Sequence, residues 1–154
     1  MLTDEEKREI DAEAARYPQR SAAGPEALKI VQRRTRWISD DLLDAIAAHL
    51  GMSPAELDSL ATFYNLIYRQ PVGRHVILVC DSVSCWVMGY EMVLGHLSER
   101  LGIALGETTA DERFTLLPMA CLGACDQAPA MMVDDDFYGE LTPDKIDKIL
   151  ARYS

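Results

Sequence analysis

Four cysteines, the only ones in the sequence, constrain this chain more than any other feature. They fall as two close pairs, Cys80 and Cys85 in CDSVSC, then Cys121 and Cys125 in CLGAC. Each pair closely follows a short apolar run, VILVC (Val76 to Cys80) and FTLLPMAC (Phe114 to Cys121), and runs of this kind predict strands. Between them, Trp86 to Leu101 carries Val87, Tyr90, Leu94, Leu97 and Leu101 at helical spacing, which predicts one helix with those residues inward. Strand, helix, strand is a crossover unit, so the two strands run parallel and the connection is right-handed by strong default. Parallel strands end at the same edge of a sheet, where open α/β sheets place their sites. The topology therefore delivers four thiols to one place, as a four-thiolate metal centre requires.

What such a centre holds depends on compartment. The opening MLTDEEKREI is acidic where a targeting leader is basic and apolar, and no run approaches the roughly 18 apolar residues of a membrane span. The expectation is a cytosolic, soluble chain whose thiols stay reduced, which disfavours structural disulfides. A disulfide enzyme of the thioredoxin type wants Cys-x-x-Cys, and that spacing is absent. A Rieske centre needs two histidine ligands, but His49, His75 and His96 each lie apart from the cysteines and are expected to be surface or locally satisfied residues. Two readings stay open on the residues alone: an iron–sulfur cluster, and a structural four-thiolate zinc site in an interaction module. Cys85 stands where the predicted helix begins, so free backbone N–H groups and the helix dipole favour a thiolate there. Gly123, between the second pair, allows close backbone approach or a positive φ. Asp81 and Asp126 each follow a candidate ligand with no cation nearby in sequence, which predicts a low reduction potential for a cluster.

The net charge of −10 argues against nucleic acid and against anionic lipid. No glycine-rich nucleotide loop and no serine–histidine–acid set stands out, so bond-making chemistry and NADH binding are not expected of this chain alone. With a cluster, it reads as an electron carrier.

In chain order, Thr3 and Glu6 form a capping box that opens a helix with Ile10, Ala14 and Tyr17 inward; its charged surface predicts a peripheral position before Pro18 stops it. PEALKIVQRRTRW predicts a second helix with Leu28 and Val31 inward. Ser39 caps a third with Leu42, Leu43, Ile46, Ala47 and Leu50 buried, and Ser53 and Glu56 open a fourth carrying Leu57, Leu60, Ala61 and Tyr64. The Pro and Gly of RQPVGR mark a break, giving a helical bundle over residues 1–70 and an α/β domain over 71–154. Past the crossover unit, AMMV (Ala130 to Val133) and Phe137–Tyr138 suggest a hairpin turning at Asp134 to Asp136, with Met131 and Met132 as core or interface filler. That acidic triplet is more simply a turn than a cation site. Thr142 and Pro143 open a closing helix with Ile146, Ile149, Leu150 and Tyr153 inward. The basic run Arg33, Arg34, Arg36 is expected to be a solvated face or a docking patch. The order β, α, β, β, β, α describes an α/β sandwich of the thioredoxin-like kind.

These segments together are recognisable. ALKIVQ, LATFY, RQPVGRH, CDSVSC, RFTLLP, CLGACDQAP and LTPDKIDKIL resemble the small thioredoxin-like iron–sulfur subunit (the E subunit) of bacterial NADH:quinone oxidoreductase, respiratory complex I, from about residue 20 to the end. The resemblance implies an N-terminal helical bundle followed by a thioredoxin-like 2Fe-2S ferredoxin domain. It implies one 2Fe-2S cluster on Cys80, Cys85, Cys121 and Cys125, and no catalytic residue in this chain. It further implies partners: a flavin-bearing subunit that binds FMN and NADH, and a further iron–sulfur subunit of the peripheral arm, on the cytoplasmic side of the inner membrane. The N-terminal helices would dock on neighbouring subunits, and the cluster would lie near the flavin but off the main path to quinone. Related subunits occur in NAD-linked formate dehydrogenases and hydrogenases, and the binding motif alone does not separate these hosts.

Overall fold

A computed structural model gives the fold over residues 1–153, and the chain divides into two compact units, Met1–Pro71 and Val72–Ser154. In the first, α1 (Asp4–Ala14) opens on a capping box: the Glu6 N–H donates to Thr3 Oγ1 at 3.1 Å and the Thr3 N–H to Glu6 Oε2 at 2.7 Å. Ile10 and Ala14 are buried, but the helix ends at Ala14, so Tyr17 lies beyond it and is exposed, against expectation. Helix α2 (Gly24–Thr35) buries Ala27, Leu28 and Val31 and stops where Arg36 turns left-handed. Ser39 caps α3 (Asp40–Leu50), which buries Leu43, Ile46, Ala47 and Leu50 and leaves Leu42 half-buried. Ser53 and Glu56 box the start of α4 (Pro54–Phe63), which buries Leu57 and Ala61; it ends one residue before Tyr64, which is exposed rather than inward.

The core of this unit joins Ile10 to Leu28, Val31, Ile38, Ile46 and Leu57, so α1 is an integral wall, not a peripheral element. Each such aliphatic side chain contributes about 1.5–3 kcal/mol by leaving water. The basic run is solvent-exposed, as expected, and it also makes ion pairs. Arg33 pairs with Glu9 at 2.5 Å and Arg34 grips Glu6 at 2.7 and 3.1 Å, so two of these three arginines fasten α2 to α1. Glu6 is buried; burial alone would raise its carboxyl pKa, but the Arg34 fork, the Thr3 N–H and hydroxyl and the Arg34 charge hold it below the usual glutamate value.

The second unit is built on a four-stranded sheet in the order β2-β1-β3-β4, with β1 His75–Cys80, β2 Phe114–Met119, β3 Met131–Val133 and β4 Asp136–Tyr138. β1 and β2 are parallel, in register from His75 opposite Phe114 to Cys80 opposite Met119. β3 lies antiparallel on the other side of β1, with Val79 opposite Met131, and β4 returns from it as the hairpin the apolar runs suggest. One face of the sheet, read at every second residue, supplies Ile77, Val79, Phe114, Leu116, Met131 and Val133 to a core closed by helices.

The crossover helix differs from expectation. It is two helices, α5 (Val83–Met88) and α6 (Tyr90–Leu101), parted at Gly89, whose φ of 127° is outside the helical region and accessible to glycine. The break resets the helical phase. Val93 and Leu97 of α6 are buried, with Tyr90, Leu94 and Leu101 partly so, while Val87 of α5 points out. Helix α7 (Pro143–Leu150), capped by Thr142, closes the core with Ile146, Ile149 and Leu150, and Tyr153 packs against it. The acidic turn is structural: Asp134 accepts the Val76 N–H at 2.9 Å and contacts His75 Nδ1 at 2.7 Å. His96 likewise meets Asp147 at 2.8 Å, and His49 meets Asp11 at 3.0 Å. All three histidines are therefore locally satisfied.

Candidate metal centre

The parallel pairing carries the two cysteine loops to one sheet edge. Cys80 is the last residue of β1, and the chain leaving it stays joined to β2 because the Asp81 N–H donates to the Met119 carbonyl at 3.0 Å. Ser82 then starts α5, whose first helical bond runs from the Trp86 N–H to the Ser82 carbonyl at 2.8 Å, and Cys85 is its third residue. On the other side, β2 ends at Met119, and Cys121 to Cys125 form a loop that closes in a single 3₁₀ turn, Cys125–Gln127.

All four cysteines, Cys80, Cys85, Cys121 and Cys125, line a single shallow recess. They are free thiols. The recess has a buried side and a solvent side: Cys80 and Cys85 are buried, Cys121 and Cys125 exposed. Its other lining residues are Ser82, Ser84, Leu122, Gly123, Ala124 and Ala130, so no charged side chain contributes to the wall. Asp81 and Asp126 both stand exposed outside it. Among the described residues, no three histidine, cysteine or acidic side chains draw together as a ready-made site for one ion.

Backbone groups donate hydrogen bonds to the sulfurs. The Gly123 N–H donates to Cys121 Sγ at 3.2 Å, and the geometry that aims it there has Gly123 at φ 74°. Ala130 works on both members of the first pair, accepting the Cys80 N–H at 3.2 Å and donating its own N–H to the Cys85 sulfur. Burial, followed by the hydrogen bond with Cys80, pushes the Cys85 thiol up to about 11, with the Ala130 N–H acting in the opposite direction. In neutral water Cys85 thus keeps its proton, and a metal that binds there must displace it. Ala130 is the neighbour of the cysteines that the motifs do not announce. Its place follows only from the antiparallel return of β3 beside β1, which sets Val79 opposite Met131 and so brings Ala130 beside Cys80.

Four thiols around one uncharged recess suit an anionic cluster held by four thiolates. Residues 10–154 match the thioredoxin-like 2Fe-2S ferredoxin family. The chain belongs to this family. Its fold, a helical N-terminal part followed by the four-stranded sheet, and its 2Fe-2S cofactor follow from that membership, which sets aside the zinc reading of the cysteines. This ferredoxin is similar over nearly its whole length to the E subunit of the NADH-quinone oxidoreductase of Pseudomonas aeruginosa, at 49% identity over 99% of this chain and 92% of that one. The corresponding protein of Escherichia coli K12 is 47% identical over 99% and 92%. Among solved structures, an NAD+-reducing NiFe hydrogenase aligns with a TM-score of 0.73 and 25% identity, covering 84% of this chain and 22% of the hydrogenase chain. The ferredoxin thus spans about a fifth of that larger protein.

Proposed function

We propose that this ferredoxin is the electron-transferring E subunit of an NADH-quinone oxidoreductase, with Cys80, Cys85, Cys121 and Cys125 as the four ligands of its cluster. The observation that carries the assignment is the enclosure of one uncharged recess by all four thiols of the chain. When bound, a 2Fe-2S cluster supplies one-electron storage and release. The residues around it have distinct tasks. Cys80 and Cys85 anchor the buried side through the end of β1 and the first turns of α5. Cys121 and Cys125 close the solvent side, and the Gly123 N–H stabilises negative charge on the Cys121 sulfur. Ser82, Ser84, Ala124 and Ala130 line the recess with small side chains. No residue of this chain is assigned a role as acid, base or nucleophile.

The partners in this reading are a flavin-bearing subunit that binds FMN and NADH and a further iron–sulfur subunit, within the peripheral arm on the cytoplasmic side of the membrane. The two NADH-quinone oxidoreductase relatives, at 49% and 47% identity, support this host. Among the described residues, no helix is long and apolar enough to cross a membrane. The structural similarity to the hydrogenase supports a second host, an NAD-linked hydrogenase with an equivalent module; co-purification from the native cell separates the two.

The ligand assignment is tested by iron and acid-labile sulfide analysis with EPR of the dithionite-reduced chain. The expected wild-type result is two irons and two sulfides per chain with a one-electron signal. Cys121→Ser is expected to lower cluster content and shift the spectrum. Wild-type iron content and an unchanged spectrum in that variant would remove Cys121 from the ligand set.

A further inference from the structure

Most large apolar side chains of the second unit are inside, but α5 is an exception. Val83, Trp86, Val87 and Met88 expose 72%, 59%, 70% and 60% of their surfaces, and Met92 at the start of α6 exposes 38%. They flank Cys85, which the same short helix sends inward to the recess. The surface continues past Gly89: a Cβ built there would lie 3.7 Å from both Met92 Cε and Pro129 Cγ, so the α5–α6 junction abuts the segment that follows the second cysteine loop. Contiguous exposed apolar surface on a soluble unit marks an interaction site. Folding does not require it, because the sheet core is already closed by α6 and α7.

Charge indicates what covers it. The sequence has no lysine or arginine between Arg74 and Arg100, nor between Arg113 and Lys145, and these two stretches contain α5 and both cysteine loops. Asp81, Glu91 and Asp126 are exposed there. An apolar centre with an acidic margin is repelled by a second copy of itself, since a two-fold interface sets like margins against each other. It is complementary to an apolar face with a basic margin. Electron exchange requires close approach to the cluster, and this surface adjoins its recess.

We propose that Val83, Trp86, Val87, Met88 and Met92 form the docking face for the redox partner, a protein with an apolar contact centre and a basic margin. The inference rests on the reading of the recess as a cluster site and adds the surface through which that site is reached. The probe is the purified flavin-bearing, NADH-oxidising subunit, titrated with cluster-loaded full-length chain. Val87→Glu places a charge in the apolar centre at an exposed position, and Glu91→Lys reverses a charge at its margin. Both variants are expected to keep wild-type iron content and EPR signal. Val87→Glu is expected to weaken association at least tenfold, and Glu91→Lys to weaken it severalfold at low salt while flattening its salt dependence. Wild-type affinity and salt dependence in both variants would overturn the proposal, as would self-association of the wild-type chain that Val87→Glu abolishes. Cluster content is read separately on the unmixed wild-type chain, so failure of the cluster assignment is distinguishable from failure of the docking face.

Discussion

Gly123→Ala isolates a backbone effect at the metal centre. Gly123 sits at φ 74°, and a Cβ added there meets no heavy atom within 4 Å. Collision with protein atoms therefore contributes nothing, and within the polypeptide the change acts through conformation. Placing a Cβ in the left-handed region costs about 1–2 kcal/mol, while loss of glycine freedom from the unfolded chain returns about 0.4–1 kcal/mol. The net destabilisation is about 1 kcal/mol, which for a unit of this size lowers Tm by about 4–8 °C. Alanine keeps the N–H, so the bond to Cys121 Sγ survives wherever the loop holds its shape. Gly123→Asn should cost less than alanine, because asparagine tolerates the left-handed region. The assay is thermal unfolding of the cluster-loaded chain followed by circular dichroism and by visible absorbance, with iron content measured beforehand. Alanine and asparagine variants that keep their iron but lose equal stability would refute the conformational account.

Gly139→Ala is the steric counterpart: its Cβ would lie 2.6 Å from Gln127 Cβ and 2.8 Å from the Gln127 carbonyl oxygen, so the turn after Cys125 must shift, with about 1–3 kcal/mol lost and cluster content reduced as measured by iron analysis. Leu116→Ala, at a fully buried site on β2, should cost about 2–5 kcal/mol in denaturant unfolding. Glu6→Gln removes a buried carboxylate from Arg34 and should cost about 1–3 kcal/mol at neutral pH. The Glu6 pKa is depressed in the folded state, so its stabilisation is complete above the usual glutamate pKa and is lost as pH falls through the folded value; the stability difference between wild type and Glu6→Gln should shrink on acidification, and a constant difference would contradict the ion pair.

The cysteine centre is legible in the sequence because it depends on topology that local patterns encode. VILVC and FTLLP read as strands, the segment between them as helical, and the parallel result follows from the crossover. What stays hidden depends on phase or on long-range pairing. Val87 reads as inward only if the helix is continuous; the positive φ of Gly89 rotates α6 relative to α5, burying Val93 and exposing Val87. Arg33 and Arg34 do form a solvated face, but their ion pairs stay hidden because the acidic partners, Glu9 and Glu6, lie on another helix. Asp134 becomes intelligible only once register places it beside His75 and Val76.

Ala130 carries the same lesson into function. No side-chain motif marks it, yet its two backbone bonds link the hairpin to Cys80 and Cys85. With no charged side chain in the recess wall, and with Asp81 and Asp126 exposed where solvent screens them, backbone amides donate directly to the Cys121 and Cys85 sulfurs. Hydrogen bonds to sulfur are among the factors that set a cluster's potential. The hairpin is therefore more than a flank of the sheet: by fixing the Ala130 N–H against one buried thiol, as the Cys121 loop fixes the Gly123 N–H against an exposed one, the fold places one amide donor on each cysteine pair.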